Sequence, residues 1–504
     1  MDGCVLANGQ APANLLESNT MMKSERKCVV VGIDVGTSGV RGVAVSPAGE
    51  LLAEGAEKIR HDRRAAGGIH EQDPGEWWEA LCSVGRIIVK TLNEESGEAE
   101  VRGVAVTSTS GSLVVADAEG CALRPAILYD DARGVEIAEE LNRQGGAQGA
   151  PLGPSFSLVK AAWVRRQEPE LWERTRYILH PADWLSGKLT GAFGISDFTN
   201  ALKLGYDPES SSWIGAVCAA GLSNDRLPVV RRPAEQIGQV SRVAAAATGL
   251  PARTPVLAGA TDGMASVIAS GASRLADANT TLGTTLVWKV FHDRKPTARR
   301  GIYFHLHPGG LWVPGAASNT GLGSIKTAGE TASSGEMDRQ AANYFPTPVV
   351  CYMLPGQGER FPFANPKAKS FVEGNPRDAG ESYAAQLQSV AFVERWGYET
   401  LADCGVPVGD KVFSTGAAAK SSVLSQLRAN VLGRTVVRPR YPTAAFGAAI
   451  LAATGALFSG NIFQAVQSMT RISESHDPSR DLVPALDEIY RSFREACAQR
   501  GYTA

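Results

Sequence analysis

Two acidic residues, far apart in the chain, each stand where an apolar stretch meets a glycine. Asp34 follows the apolar residues 29–33 and precedes the turn G-T-S-G at 36–39, whereas Asp262 lies between a run starting at Pro255 and Gly263. Glycine lets backbone N–H groups approach phosphate oxygens, and Thr or Ser adds hydroxyl donors. A neighbouring carboxylate can hold Mg²⁺ directly or through water. The first stretch therefore predicts a nucleotide-phosphate site; an ordinary hairpin with a glycine turn is the alternative.

A second turn of the same type occurs in the stretch T-T-L-G-T-T-L-V-W-K-V at 280–290. Two such strand–turn–strand segments predict two domains of related plan that face one cleft. We expect the two turns to contact the phosphates from opposite sides, with a purely structural turn as the alternative for each. The residues expected to contact phosphate are Gly36, Thr37, Ser38, Gly283, Thr284 and Thr285.

Composition excludes several classes of protein. The chain has 504 residues, 44% hydrophobic and 20% charged, which is typical of a globular protein of two or more domains. The net charge of −2 argues against nucleic acid and anionic membrane as partners, and no apolar run approaches the ~20 residues of a spanning helix. The eight scattered cysteines, without a C-x-x-C pair, indicate a reducing compartment and argue against structural zinc.

We expect four segments along the chain. Residues 1–27 are a polar leader without the apolar core of a secretory signal, and we expect them to be disordered. We expect a cytoplasmic protein. The leader leaves a plastid location open. Residues 196–207 (S-D-F-T-N-A-L-K-L-G-Y-D) are expected to form a polar loop. The expected segments are the leader 1–27, an N-terminal domain at 28–254, a C-terminal domain at 255–470 and a helical tail at 471–504.

An ordered series of motifs resembles the FGGY carbohydrate kinases and runs from about residue 28 to residue 455. Each motif is weak alone, but their order is specific. The motifs are G-I-D-V-G-T-S-G at 32–39, E-Q-D-P-x-x-W-W at 71–78, D-W-L-S-G-K-L-T-G at 183–191, A-G-A-T-D-G at 258–263, L-G-T-T at 282–285, G-E-R-F-P at 358–362 and A-A-F-G-A-A-I-L-A-A at 444–453.

Within this family the chain is most similar to the D-ribulokinase and xylulokinase-1-like group. That similarity lies in S-T-S-G-S-L at 108–113, residues 196–206 and G-A-A-S-N-T-G at 315–321. The resemblance implies an α/β, two-domain actin/hexokinase-type (ribonuclease H-like) fold with an interdomain cleft. It also implies transfer of a phosphoryl group from MgATP to a terminal hydroxyl of a ketopentose, D-ribulose or D-xylulose, by a monomer or homodimer.

The resemblance assigns roles to individual residues. Asp262 would be the base that takes the proton of the sugar hydroxyl, although an Asp at this place can also cap the following helix. Asp34 would orient Mg²⁺, and both acids would contact the sugar together with Ser110. Asp131, followed by Arg133, matches a family position for sugar contact; a surface ion pair is the alternative. His70 is expected to be structural.

The nucleotide's other end is expected at residues 416–421, G-A-A-A-K-S, where the family usually has a run of glycines. The methyl groups of Ala417 and Ala418 can block a positive φ or a close approach of ribose and base, which predicts weaker ATP binding. The adenosine-contacting residues expected here are Gly416, Ala417, Ala418, Lys420 and Ser421. A glycerol or polyol kinase, and a catalytically weak sugar or nucleotide sensor, are the alternatives to a ketopentose kinase.

Overall fold

The computed structural model describes the chain from residue 27 onward with short gaps. The leader predicted at 1–27 therefore lies outside the described residues, apart from Lys27. Among the described residues, none of the helices combines the length and apolar character needed to cross a membrane. The described ranges are 27–96, 99–144, 151–297, 299, 301–326 and 334–503.

The first half of the chain is built around a six-stranded sheet of order β14-β15-β6-β1-β2-β3. Strand β1 pairs antiparallel with β2 and parallel with β6, and β6 pairs parallel with β15. The strands are β1 (Cys28–Gly36), β2 (Gly39–Val45), β3 (Leu51–Lys58), β4 (Arg63–Ala65), β5 (Ile69–Gln72), β6 (Glu100–Ser108), β7 (Val114–Ala116), β8 (Ala126–Ile127), β9 (Tyr177–Leu179), β10 (Ile195–Asp197), β11 (Tyr206–Asp207), β12 (Ser212–Trp213), β13 (Val229–Arg231), β14 (Gln236–Gln239) and β15 (Pro255–Leu257).

The second half repeats this plan in a seven-stranded sheet of order β18-β19-β17-β16-β22-β23-β24. Here β16 pairs antiparallel with β17 and parallel with β22, as β1 does with β2 and β6. The related plan predicted from the two similar turns is thus confirmed. The strands are β16 (Ala278–Leu282), β17 (Leu286–Val290), β18 (Ile302–Leu306), β19 (Trp312–Ser318), β20 (Val350–Tyr352), β21 (Phe371–Glu373), β22 (Lys411–Thr415), β23 (Thr435–Pro439) and β24 (Ile472–His476).

Helices cover both sheets. The apolar side chains of β1 are almost fully buried, which explains why this strand has a continuous hydrophobic sequence. The helices are α1 (Pro74–Ser96), α2 (Val135–Arg143), α3 (Ser157–Gln167), α4 (Pro169–Arg174), α5 (Pro181–Thr190), α6 (Phe198–Ala201), α7 (Gly215–Ala219), α8 (Arg242–Thr248), α9 (Asp262–Ser270), α10 (Ser334–Ala341), α11 (Ala379–Asp403), α12 (Ser422–Leu432), α13 (Ala444–Ala456), α14 (Ile462–Met469) and α15 (Val483–Gln499).

Helix α13 connects the two halves. Although it follows β23 of the second sheet, it packs on β1 and β6 of the first sheet and on α9. The packing is so close that a β-carbon at Gly32 would lie 2.1 Å from the carbonyl oxygen of Ala445. A β-carbon at Gly447 would lie 2.0 Å from that of Ala265. The small residues at 444–453 therefore allow the backbone of α13 to contact the backbone of the first half directly.

The prediction of a loop at 196–207 is wrong. These residues form β10, α6, a 3₁₀ turn at 202–204 and β11. The reason is Asp197, which is buried and caps α6: its carboxylate accepts the backbone N–H groups of Thr199 and Asn200. The polar side chains of 196–200 are buried, and the Asp197 carboxylate also accepts the hydroxyl of Thr199 and the side-chain amide of Asn200.

The predicted domain limits stay a prediction. Beyond residue 254, β15 is hydrogen-bonded to β6 of the first sheet. Within 471–504, β24 forms an edge of the second sheet, and α15 buries Leu486 and Phe493 in the core of that domain.

We expect Gly32→Ala to lower the free energy of unfolding by about 3 kcal/mol, because the new methyl group would overpack the contact with α13. Urea denaturation measures this effect. Gly356→Ala is the matched control, since a β-carbon there meets nothing within 4 Å. Equal stability of the two variants would contradict the close contact.

Candidate active site

Asp34, Ser110 and Asp262 lie at one edge of the first sheet. Asp34 pairs with Thr107 across β1 and β6, and Ser110 follows the end of β6. An isolated parallel bridge joins Ser108 to Thr261, directly before Asp262. Because β1, β6 and β15 are parallel, their carboxyl ends meet at this edge. The structure thus brings together the three residues predicted to surround the sugar hydroxyl.

The Asp34 carboxylate is partly buried and accepts a 3.3 Å hydrogen bond from the hydroxyl of Thr107. Burial, and secondly the negative charge of Asp262, raise the pKa of Asp34 to about 7. The Thr107 hydrogen bond and the positive charge of Arg41 act in the opposite direction. Two neighbouring carboxylates, of which one raises the pKa of the other, form a site that favours a cation.

Asp262 is the first residue of α9 but not its cap. The cap is Thr261, whose side chain accepts the backbone N–H of Met264. The Asp262 carboxylate accepts the N–H of Gly263 at 2.6 Å. Burial raises the pKa of Asp262, while that hydrogen bond and two lysines lower it. The helix-cap alternative considered from the sequence is therefore not realised, because Thr261 fills that role.

The two lysines are functional candidates that the sequence analysis missed. The ammonium group of Lys203 donates to the carbonyl oxygen of Ser110 at 3.0 Å, and that of Lys289 donates to the carbonyl oxygen of Gly263 at 2.7 Å. Burial lowers the pKa of both, that of Lys289 to about 8. Lys203 lies in the segment that was expected to be a polar loop. Lys289 lies on β17, so only a search for lysines within apolar strands would have indicated it.

The first glycine–hydroxyl turn is the tight link between β1 and β2. Gly36 pairs with Gly39, which leaves Thr37 and Ser38 at the tip. Ser38 is exposed, and Thr37 is partly buried. The turn lies just beyond Asp34, as predicted.

The second glycine–hydroxyl turn, residues 283–285, joins β16 to β17 and is supported from one side. The carbonyl oxygens of Gly283 and Thr284 accept the N–H groups of Leu322 and Gly323 at 2.8 and 3.1 Å. Gly321 approaches so closely that a β-carbon there would lie 2.5 Å from the Thr284 carbonyl oxygen. The N–H groups and hydroxyls of the turn are thereby held in place.

Comparison with known proteins assigns the family. The N-terminal domain of the FGGY family of carbohydrate kinases matches residues 29–269, and its C-terminal domain matches residues 278–456. The chain belongs to this family. As a member of it, the chain is an enzyme that transfers a phosphoryl group to an alcohol group of a carbohydrate.

Several relatives match over nearly their whole length. The chain is 26% identical to a xylulose kinase of Escherichia coli over 500 residues, 93% of this chain and 98% of that one. It is 25% identical to a xylulose kinase of Staphylococcus epidermidis over 488 residues, 93% and 96% of the two chains. The solved structure of xylulose kinase from Rhodospirillum rubrum has a TM-score of 0.82 at 25% identity and covers 94% of this chain and 98% of that chain.

In this FGGY kinase, a buried ion pair joins α11 and α12 beside the second sheet. Arg428 of α12 donates to both carboxylate oxygens of Glu394 on α11 at 2.6 and 2.7 Å, and neither side chain is exposed. Glu394 also accepts the hydroxyl of Thr280 on β16, and Arg428 donates to Ser414 on β22. The pair therefore connects the two strands that lead to the second turn and to residue 416.

The expectation that alanine methyl groups obstruct the nucleotide loop is wrong for its backbone. Gly416 alone of residues 416–421 has a positive φ, of 87°, and a 3₁₀ helix at 417–420 follows it. Ala418 is buried in the core of the second domain, so its methyl group points away from solvent. Ala417 and Lys420 are exposed beside Gly416. Within 416–421, the one position whose positive φ favours glycine is therefore occupied by a glycine, Gly416.

Ser421 has a structural role at the start of α12. Its hydroxyl oxygen accepts the backbone N–H of Leu424 at 3.1 Å, and its hydroxyl donates to the carboxylate of Asp338 on α10 at 2.5 Å. Contact of Ser421 with adenosine stays a prediction, and it would have to compete with these bonds.

Asp131 and Arg133 form an ion pair that is buried, not superficial. Asp131 is 1% exposed, and its two oxygens accept three bonds from Arg133 and the backbone N–H of His70. Opposite charge and hydrogen bonding hold the pKa of Asp131 below its usual range despite burial. Since both oxygens already have partners, the weakly predicted sugar contact of Asp131 gains no support. The ring of His70 lies between Asp62 and Asp130, in a structural position as expected.

We expect Arg428→Leu to lower the free energy of unfolding by about 3–5 kcal/mol, because Glu394 would keep a buried charge without its partner. Chemical denaturation monitored by tryptophan fluorescence checks this. Replacing both Arg428 and Glu394 by Leu should recover much of the loss. Arg339→Leu, at an exposed pair with Glu336, is the control with a change near zero. A double variant as unstable as the single one would contradict the assignment.

Proposed function

We propose that the protein is an ATP-dependent ketopentose kinase that phosphorylates a terminal hydroxyl of D-ribulose or D-xylulose. D-Ribulose follows from the motifs shared with the ribulokinase-like group, and D-xylulose from the names of the relatives. One observation carries the proposal: Asp34 and Asp262 share one sheet edge, close enough that the charge of Asp262 raises the pKa of Asp34. A cytoplasmic location stays a prediction.

In this reaction the sugar hydroxyl oxygen attacks the terminal phosphorus of ATP, its proton passes to Asp262, and ADP leaves. Asp262 is suited to this role because its carboxylate is held by Gly263 and lies in the field of two lysines. The turns at 36–39 and 283–285 would donate backbone N–H and hydroxyl groups to the phosphates. Positioning and charge stabilisation dominate such transfers, which matches a site without a covalent nucleophile.

The Asp34 side chain fits a Mg²⁺ ion shared with the nucleotide. Mg²⁺ in such sites is held by one or two carboxylates and by substrate phosphates, not by an all-protein cage. The described residues contain no group of three or more His, Cys, Asp or Glu that could hold a metal. When bound, the ion neutralises charge on the phosphates. Asp34 would hold it, and Asp34 must be ionised to do so.

The two alternatives differ in support. A glycerol or polyol kinase would use the same acids, so only the substrate separates it from a ketopentose kinase. The sensor alternative rested on the altered loop at 416–421, where the methyl group of Ala418 is buried and Ala417 is exposed beside Gly416.

An ADP-release assay of the pure protein tests the proposal against D-ribulose, D-xylulose, other ketopentoses, pentitols, glycerol and gluconate. We expect the highest kcat/KM with D-ribulose or D-xylulose. Preference for glycerol or a pentitol would support the polyol alternative, and activity with none of these compounds would overturn the proposal.

We expect Asp262→Asn to lower turnover by at least ~100-fold, because the amide cannot accept the hydroxyl proton. Sugar binding, measured by calorimetry, should remain. Asp277→Asn is the control, since that carboxylate only accepts backbone N–H groups of Ser273 and Arg274. Near-normal turnover of Asp262→Asn would remove Asp262 from the role of base.

We expect Lys289→Met to move the acid limb of the kcat/KM profile to higher pH. Asp262 must be ionised to act, and the positive charge of Lys289 lowers its pKa. Without that charge the pKa of Asp262 rises, so activity is lost at a higher pH as the pH falls. Lys289→Arg should keep the original limb.

The control for this prediction is Lys160→Met. Lys160 is also buried and donates to the carbonyl oxygens of Pro154 and Tyr129, but it is not among the charges that act on Asp262. An acid limb that does not move in Lys289→Met, or that moves equally in Lys160→Met, would contradict the electrostatic role of Lys289.

A further inference from the structure

The motif E-Q-D-P-x-x-W-W at 71–78 has no role in the proposed chemistry, yet one of its residues reaches the first phosphate turn. Gln72, at the end of β5, is 2% exposed. Its side-chain amide donates a 2.8 Å hydrogen bond to the backbone carbonyl oxygen of Thr37. Thr37 is the residue at the tip of the turn between β1 and β2.

The orientation of the Gln72 amide is determined by its partners. The side-chain oxygen accepts the indole N–H of Trp77 at 2.9 Å, and Trp77 is itself buried. The second amide hydrogen is directed to the carboxylate of Asp62 at 2.8 Å. A rotated amide would place its oxygen against a carbonyl and a carboxylate, so the donor must face Thr37.

The hydrogen bonds of Gln72 continue to other residues of the first domain. Asp62 also contacts the ring of His70, which is 2% exposed, and the other ring nitrogen of His70 contacts Asp130. The carbonyl group of Thr37 is therefore attached through the buried Gln72 to a hydrogen-bonded network in which His70 is buried and Asp62 and Asp130 are exposed. A hairpin tip without such an anchor would sample several orientations of its peptide groups.

We infer that Gln72 is a positioning residue for the nucleotide phosphates. By holding the Thr37 carbonyl group on one side of the turn, it directs the N–H and hydroxyl groups of residues 36–39 to the other side, towards the cleft. This inference rests on the proposed function, because it assumes that the turn binds the phosphates of ATP. It predicts a defect in nucleotide binding that spares the sugar.

Steady-state kinetics of Gln72→Leu test the inference. We expect KM for ATP to rise about tenfold, the effect of losing one hydrogen bond of ~1.4 kcal/mol, while KM for the sugar is unchanged. Gln72→Glu keeps the size of the side chain but cannot donate to Thr37, so it should show the same split. It replaces Gln72→Leu if the latter does not fold.

Gln388→Leu is the matched control. Gln388 is 1% exposed and bonds the backbone of Thr347 through both ends of its amide, at 2.9 and 3.1 Å, in the second domain. Its replacement should reduce stability without changing KM for ATP. An unchanged KM for ATP in the Gln72 variants, or an equal rise in Gln388→Leu, would overturn the inference.

Hydrogen exchange of the nucleotide-free protein separates this inference from the proposed function. We expect faster exchange of the backbone amides of residues 36–39 in Gln72→Leu than in the wild type and in Gln388→Leu. If the wild type releases no ADP with any sugar, the proposed function fails, and the exchange result still decides whether Gln72 anchors the turn. Unchanged exchange would refute the anchor irrespective of activity.

Discussion

The close contact of α13, the helix that follows β23 of the second sheet, with β1 and α9 is the constraint on which the site depends. Gly32 meets this helix with no side chain between them, two residues before Asp34, and Ala265 meets Gly447 three residues after Asp262. The two acids therefore lie on opposite sides of one helix that cannot move far from either. Backbone-to-backbone packing of this kind transmits small shifts, because interiors are close-packed and tolerate few voids. The same contact joins the two domains across which the substrates of a kinase must meet.

Charge is distributed according to this geometry. At one sheet edge, burial raises the pKa of both Asp34 and Asp262, and the charge of Asp262 raises that of Asp34 further. Two lysines compensate part of the charge of Asp262: Lys203, which donates to the carbonyl oxygen of Ser110, and Lys289, which donates to that of Gly263. Lys289 belongs to the second sheet and contacts Gly263 at the start of α9, so the charge balance of Asp262 involves both domains. In the second domain, the Glu394–Arg428 pair is fully buried and is stable only with both partners present. The cleft is thus lined by groups that the surrounding structure holds in place.

Local sequence patterns predicted the parts of this protein that depend on local physics. The apolar run that ends at Asp34 and the glycine turn after it predicted a hairpin, and β1 and β2 form one. This prediction succeeds because hairpin geometry depends on a few adjacent residues. Predictions about exposure were less successful. Residues 196–207 have a polar composition, but Asp197 satisfies the polar groups internally. For Asp131 and Arg133, the alternative to a sugar contact was a surface ion pair; the pair is buried, because its partners Glu71 and His70 come from a distant segment.

The sequence by itself determined the family, the two related halves and the position of Asp34, Asp262 and the two glycine–hydroxyl turns at the ends of strands. These follow from short motifs in which the chemistry and the local backbone are encoded together. Only the tertiary structure decided which residues surround the acids. Three side chains come to the site from separate elements: those of Lys203, Lys289 and Gln72. Each finds the backbone carbonyl to which it donates because it is packed against another element, not because of its spacing in the sequence. The tertiary structure also decided that Ala418 lies in the core, since the direction of a side chain depends on the helix that contains it. Gly416, two residues earlier, has a positive φ.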